Sequence, residues 1–178
     1  FGVMRMMMIA PIAHYWIVLS KLIAATLTAM VQAILLLLLL FVLGLISVKI
    51  AFSLVLPAVL TAICCAAIGG LIAVWSKSID NFAVIMNFFI FPVFFLSGAL
   101  YPVNQLPETL RYIVVINPFS YGVDLLKHAV PNVPTDFSVL TDVAVLVGFS
   151  TVAILIACWQ FSRESVHEPL FHRVSGKR

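Results

Sequence analysis

The sequence has 178 residues, 63% hydrophobic and only 10% charged, with a formal net charge of +3 and a mean hydropathy of +1.19. Soluble domains average roughly 45–50% apolar and 25% charged residues, and one domain of this size could not hide so much apolar surface behind so few polar groups. The ten Lys and Arg are scattered between apolar runs. That excludes a basic nucleic-acid face and leaves an all-α, polytopic membrane helix bundle.

The first residue is Phe1 rather than methionine, and the expectation is a fragment of a longer protein. A secretory signal is not expected, because the first apolar stretches are too long and lack a cleavage site. The opening run from Met4 to Ile9 is amphipathic around Arg5, as in a helix lying at a membrane interface.

Charges then divide the chain into four uncharged runs, 22–48, 50–76, 81–107 and 143–162. Each reaches the roughly 20 residues that a helix needs to cross a bilayer. Lipid offers no partners to the backbone, so helices are the expected solution. A barrel strand would alternate polar and apolar residues, which the unbroken leucines of 35–40 do not.

Flanking cations set the expected direction. The tail carries Arg163, Arg173, Lys177 and Arg178, so it is placed in the cytoplasm together with Arg5, Lys21 and the turn at Lys77. Segment 97–142 then lies outside, where Glu108, Asp124, Asp136 and Asp142 outnumber Arg111 and Lys127. Lys49 falls in a short outer turn. The domain reading is a transmembrane unit over 1–162, with a cytoplasmic segment 1–16, an outer hairpin over 97–138 and a tail over 163–178.

Small residues recur every fourth position at Ala25, Ala29 and Ala33, and again at Ala62, Ala66 and Gly70, with Gly69 beside them. Such stripes let helices approach closely in lipid. Packing within one bundle is the plainer reading, and a dimer face or substrate path the sharper one. Polar residues inside the runs are few: Gln32, Thr61, Asn87 and Gln160. They either bond between helices or line a route, and Gln32 and Asn87 are the candidates for a route. Cys64, Cys65 and Cys158 read as apolar wall residues.

The third run is broken. Pro92 removes a backbone donor and Ser97-Gly98 weakens the helix further. Leu106-Pro107-Glu108 opens a short new helix, with proline in the first turn and an acid at the positive end of the dipole. That helix stops at Asn117-Pro118, where Asn117 can cap a second piece running to about Val130, before Pro131. In this piece Asp124, Lys127 and His128 share a face. Neither piece can span a membrane, yet Leu110, Ile113 and Val114 suit bulk water poorly. The expectation is a re-entrant helical hairpin dipping into the outer leaflet.

The run Phe91-Pro92-x-Phe94-Phe95-Leu96-Ser97-Gly98-Ala99-Leu100-Tyr101-Pro102, then Leu106-Pro107 and Asn117-Pro118-Phe119-Ser120-Tyr121-Gly122-Val123-Asp124-Leu125-Leu126-Lys127, resembles the signature region of ABC-type-2 exporter permeases, closest to the drug-resistance branch. Phe1 to Ile12 with Val18-Leu19-Ser20-Lys21 is similar to that family's loop before its third span. The resemblance implies six spans in the whole permease, with the third to sixth held here. It implies a separate ATP-binding cassette subunit that carries ATP and Mg, a second permease copy, and no cofactor on this chain. By the same resemblance Met4, Arg5, Met8 and Pro11 couple to the ATPase. Pro92, Ser97, Gly98, Pro102, Pro107, Asn117, Pro118, Tyr121, Asp124 and Lys127 form the signature and outer gate. Lys127 stands where the family usually has arginine, and Ser120 where threonine is common. Lysine cannot form a bidentate fork with a carboxylate.

No GxxxxGK[ST], HExxH or GxSxG motif occurs. His14, His128, His167 and His172 are dispersed, and Glu164 and Glu168 suit a solvated helix face. Neither catalytic residues nor a metal site are expected. The leading function is an export permease for drugs, lipids or other amphipathic molecules in the cell membrane. A membrane-embedded enzyme acting on lipids and a structural or channel-type subunit stay open as alternatives.

Overall fold

A computed structural model describes residues 14–76, 78–100, 103 and 107–166. Among these residues six helices follow in chain order: α1 (His14–Val42), α2 (Val48–Trp75), α3 (Ile79–Ala99), α4 (Glu108–Ile116), α5 (Pro118–His128) and α6 (Val139–Val166). No strand occurs among the described residues. Among the described residues four stretches are long and apolar enough to cross a membrane: Trp16–Val42, Val48–Trp75, Ile79–Ala99 and Val139–Gln160. The fold is an all-α membrane helix bundle.

The helix limits differ from those drawn by charge, and the reason is capping. The α1–α2 turn is made at 43–47, where Gly44 takes φ 70° and Ser47 Oγ accepts from the Ile50 amide at 3.5 Å. Lys49 therefore sits in the first turn of α2 rather than in a connecting turn. α3 starts behind Ser78, whose Oγ accepts from the Asn81 amide at 3.2 Å. α6 starts four residues before the expected run, because Ser138 Oγ accepts from the Thr141 amide at 3.3 Å. A serine hydroxyl satisfies one of the orphan N–H groups of a first turn, and this fixes where a helix begins.

α3 is irregular on both sides of Pro92. Over Met86–Ile90 the ladder widens to a π turn, with the Phe91 amide donating to the Met86 carbonyl five residues back. A second π turn covers Phe95–Ala99 and holds Gly98 at φ 78°. Proline supplies no N–H to the preceding turn, and helices accommodate such a loss by local widening or kinking. Gly98 adopts a left-handed conformation that L side chains avoid.

Packing falls into two clusters. At the end where α1 begins, Val18, Leu22 and Ala157 are buried together, with Ala66, Leu71 and Val74 against them. Here a Cβ on Gly70 would stand 3.0 Å from Leu22 Cδ2, so this member of the small-residue stripe serves α1–α2 packing. Toward the other end Cys64, Ile68, Tyr121, Leu125 and Leu146 form a core joining α2, α5 and α6.

α5 runs antiparallel to α2. Ser53 Oγ donates to the Ala129 carbonyl at 3.1 Å, and Thr61 Oγ1 donates to the Gly122 carbonyl at 3.4 Å. Thr61 lies about 20 Å along α2 from Val48 at roughly 1.5 Å per residue. The start of α5 is thus sunk deep beside α2, while its end returns to the level where α2 and α6 begin.

Candidate functional site

The corner between the two short helices is made by Asn117. Its Oδ1 accepts from the Phe119 amide at 3.0 Å, capping α5, and its Nδ2 donates to the Val93 carbonyl of α3 at 2.7 Å. Pro118 occupies the first turn of α5, where its missing N–H costs nothing. The Tyr121 hydroxyl donates to the Val115 carbonyl at 2.6 Å, tying α5 back to the last turn of α4. Tyr121 also packs on Phe137 with ring centroids 4.7 Å apart. Pro107 stands at the N-cap position of α4, its carbonyl accepting from the Leu110 amide at 2.9 Å.

Two glycines permit close approach. A Cβ on Gly98 would lie 2.9 Å from Val103 Cγ2 and 3.7 Å from Lys127 Nζ. A Cβ on Gly122 would lie 2.8 Å from Thr61 Cγ2. Ser97, beside Gly98, is buried and donates from Oγ to the Phe94 carbonyl at 2.6 Å.

The far end of α5 carries the charges. Asp124 is buried, and its two oxygens accept from the Asp136 and Phe137 amides, each at 2.9 Å. The loop leading into α6 is thereby folded over α5. Lys127 Nζ lies 3.5 Å from Asp136 Oδ2 at the partly exposed edge. Lys127 meets an acid of this loop rather than Asp124. His128 Nε2 lies 3.0 Å from the Phe137 carbonyl, 3.7 Å from Asp124 Oδ2 and 3.6 Å from Asp142 Oδ2. Asp142, in the first turn of α6, is fully buried, and neither of its oxygens accepts a hydrogen bond from a described residue. Two carboxylates and an imidazole thus face one another across two helices, a set able to hold a cation.

Of the signature residues, Pro92, Ser97, Gly98, Asn117, Pro118, Tyr121, Asp124 and Lys127 are gathered around α5; Pro107 stays at the head of α4, and Pro102 lies outside the described residues, as do Met4, Arg5, Met8 and Pro11. Gln32 and Asn87 are not brought into this site. Both face outward from the bundle, and Asn87 Nδ2 donates to the Ala83 carbonyl of its own helix at 2.8 Å. Asp136 and Asp142 join the site although the sequence reading left them as scattered outer acids. The signal that could have found Asp142 is Ser138: a cap there starts the last helix at Val139 and puts Asp142 on its first turn.

Residues 1–130 match the ABC-2 type transporter family. Nodulation protein J of Rhizobium leguminosarum bv. viciae is 29% identical over 98 residues, 55% of this chain and 38% of that protein. Nodulation protein J of R. leguminosarum bv. trifolii is 31% identical over 101 residues, again 38% of its length. The inner membrane transport permease YadH of Escherichia coli K12 is 30% identical over 112 residues, 63% of this chain and 41% of that protein. The matched stretch thus spans about two fifths of each of these relatives. No solved structure matches the chain. With more than half of its residues inside the family match, the chain belongs to the ABC-2 type transporter family.

Proposed function

We propose that this chain is the membrane part of an export permease, driven by ATP hydrolysis on a separate ATP-binding cassette subunit. The observation that carries the reading is the sunken helix α5, held to α2 through Thr61 and Ser53, to α3 through Asn117 and to α6 through the Asp124 loop. A helix too short to span, yet bonded to three spanning helices, can transmit a rocking of the bundle to one mouth of a transport route. In this reading α4 and α5 form a re-entrant hairpin in the outer leaflet and close the outer end. Lys and Arg in the flanks support cytoplasmic placement of both ends of the chain. The inner-membrane name of the E. coli relative supports the cell membrane as location.

Met4, Arg5, Met8 and Pro11 are the residues proposed to rest on the ATPase, which holds the ATP and Mg. A second permease copy is proposed against the face that carries Gln32, since an amide at that depth is costly against lipid alone. The cargo is proposed to be amphipathic, such as a drug or a lipid, in keeping with a bundle that has few fixed charges in its spans. The reading is tested with the full-length permease in proteoliposomes, with and without a co-purifying ATP-binding cassette subunit, using a fluorescent amphipathic dye. Flux that requires both the ATPase and ATP is expected. Equal flux with neither, or lipid turnover independent of ATP, overturns it.

A further inference from the structure

We propose that Asp124, His128 and Asp142 form a site for one divalent transition-metal ion of the zinc class, which pins α5 to the first turn of α6. One ligand atom from each side chain lies within 4.8 Å of the others. The separations from His128 Nε2, 3.7 Å to Asp124 Oδ2 and 3.6 Å to Asp142 Oδ2, are too long for good hydrogen bonds. They are close to the roughly 3.4 Å edge of a tetrahedron whose metal–ligand bonds are about 2.1 Å.

The second, independent observation is Asp142 itself. Its carboxylate is fully buried, aimed into the cluster, and accepts no hydrogen bond from any described residue. A buried carboxylate in that condition is strongly unfavourable unless paired or coordinated. A dication balances the two carboxylates around a neutral imidazole. Asp124 is already oriented by the Asp136 and Phe137 amides, which act as the outer support that metal ligands need. The His128 side chain is 25% exposed, which leaves an entry path from solvent. Calcium and magnesium want six or more oxygens, so an imidazole with two carboxylates selects a borderline-soft ion. Without metal, Nε2–H can donate to the Phe137 carbonyl at 3.0 Å; on metal binding Nε2 becomes the ligand and the neutral imidazole carries its one proton on Nδ1.

The test is calorimetric titration of zinc into the full-length permease, purified through a tag free of histidine and stripped with EDTA. One ion per chain is expected, with a rise in the thermal unfolding midpoint and no competition from millimolar calcium. Asp142→Asn and His128→Gln should each weaken binding at least tenfold and abolish the midpoint shift, while helix content by circular dichroism stays unchanged. Asp80→Asn, at the start of α3, should bind as the parent does. Should Asp142→Asn fail to fold, His128→Gln decides alone. Absence of zinc binding, or parental affinity in His128→Gln, overturns the proposal.

Discussion

The side-chain amide of Asn117 bridges two structures at once, donating to the Val93 carbonyl at 2.7 Å while its oxygen caps α5 at the Phe119 amide. Asn117 is 3% exposed, so both ends of the amide are satisfied by protein rather than solvent. The corner of the two short helices is thereby fastened to the irregular part of α3, between its two π turns. A β-region conformation at Asn117 and the fixed φ of Pro118 turn the chain there at little local cost.

Asn117→Ala removes the cap and the bridge together, and should destabilise the folded protein by about 2–3 kcal/mol, the sum of a typical cap and one hydrogen bond. Asn117→Ser keeps a capping oxygen but cannot reach α3, so its loss should be about 1 kcal/mol. Thermal unfolding of the purified full-length permease in detergent separates the two values. No loss in Asn117→Ser would mean that the bridge to Val93 contributes nothing, and equal losses in the two variants would mean that the cap does not.

The contact of Gly122 with Thr61 should be equally sensitive. In an isolated helix alanine is favoured over glycine by about 1 kcal/mol. Here the added methyl would meet Thr61 Cγ2 at 2.8 Å, and Thr61 is held in place by its 2.8 Å bond to the Pro57 carbonyl. Gly122→Ala should therefore destabilise by about 1–3 kcal/mol, as overpacked sites do. Thr61→Ser removes the obstructing methyl, and the double variant should recover much of the loss in the same unfolding assay.

Asp124 and Lys127 lie three residues apart on α5 and should behave very differently. Lys127 pairs with Asp136 at 3.5 Å at a partly exposed edge, and such pairs contribute about 0–1 kcal/mol. Asp124 is buried and holds the loop into α6 through two backbone amides. Asp124→Ala would leave both N–H groups without acceptors, at a cost of about 2–4 kcal/mol. Proteolysis between α5 and α6 should accelerate markedly in Asp124→Ala and hardly at all in Lys127→Ala.

The features that could be read ahead of the structure are the local ones. Pro92, Ser97-Gly98 and Asn117-Pro118 act through their own dihedrals and missing donors, so their positions alone announce a broken helix and a corner. The ends of the spans were harder, because charge marks where a helix meets water and not where its hydrogen bonding starts. Lys49 lies within α2, and three spans begin behind serines, at Ser47, Ser78 and Ser138. The Asp124–His128–Asp142 cluster was not legible, since it joins residues of two helices across a loop whose path depends on the Asp124 amide contacts. An acid at the head of an apolar run looks like an outer flank until the cap at Ser138 draws it inward.

Gln32 and Asn87 give the last contrast. Both face outward, but Asn87 satisfies its amide donor on the Ala83 carbonyl within α3, an arrangement that needs no partner. Gln32 has no comparable bond to its own helix among those of the described residues. If a second copy covers that face, Gln32 is the residue that needs it. Gln32→Leu should then leave the unfolding free energy of the isolated chain within about 1 kcal/mol of the parent or raise it, because leucine suits lipid better than glutamine. It should at the same time weaken association of two copies, measured by cysteine cross-linking along α1 in vesicles. Asn87→Leu should leave cross-linking unchanged. Undiminished cross-linking in Gln32→Leu would remove α1 as the site where two copies meet through this amide.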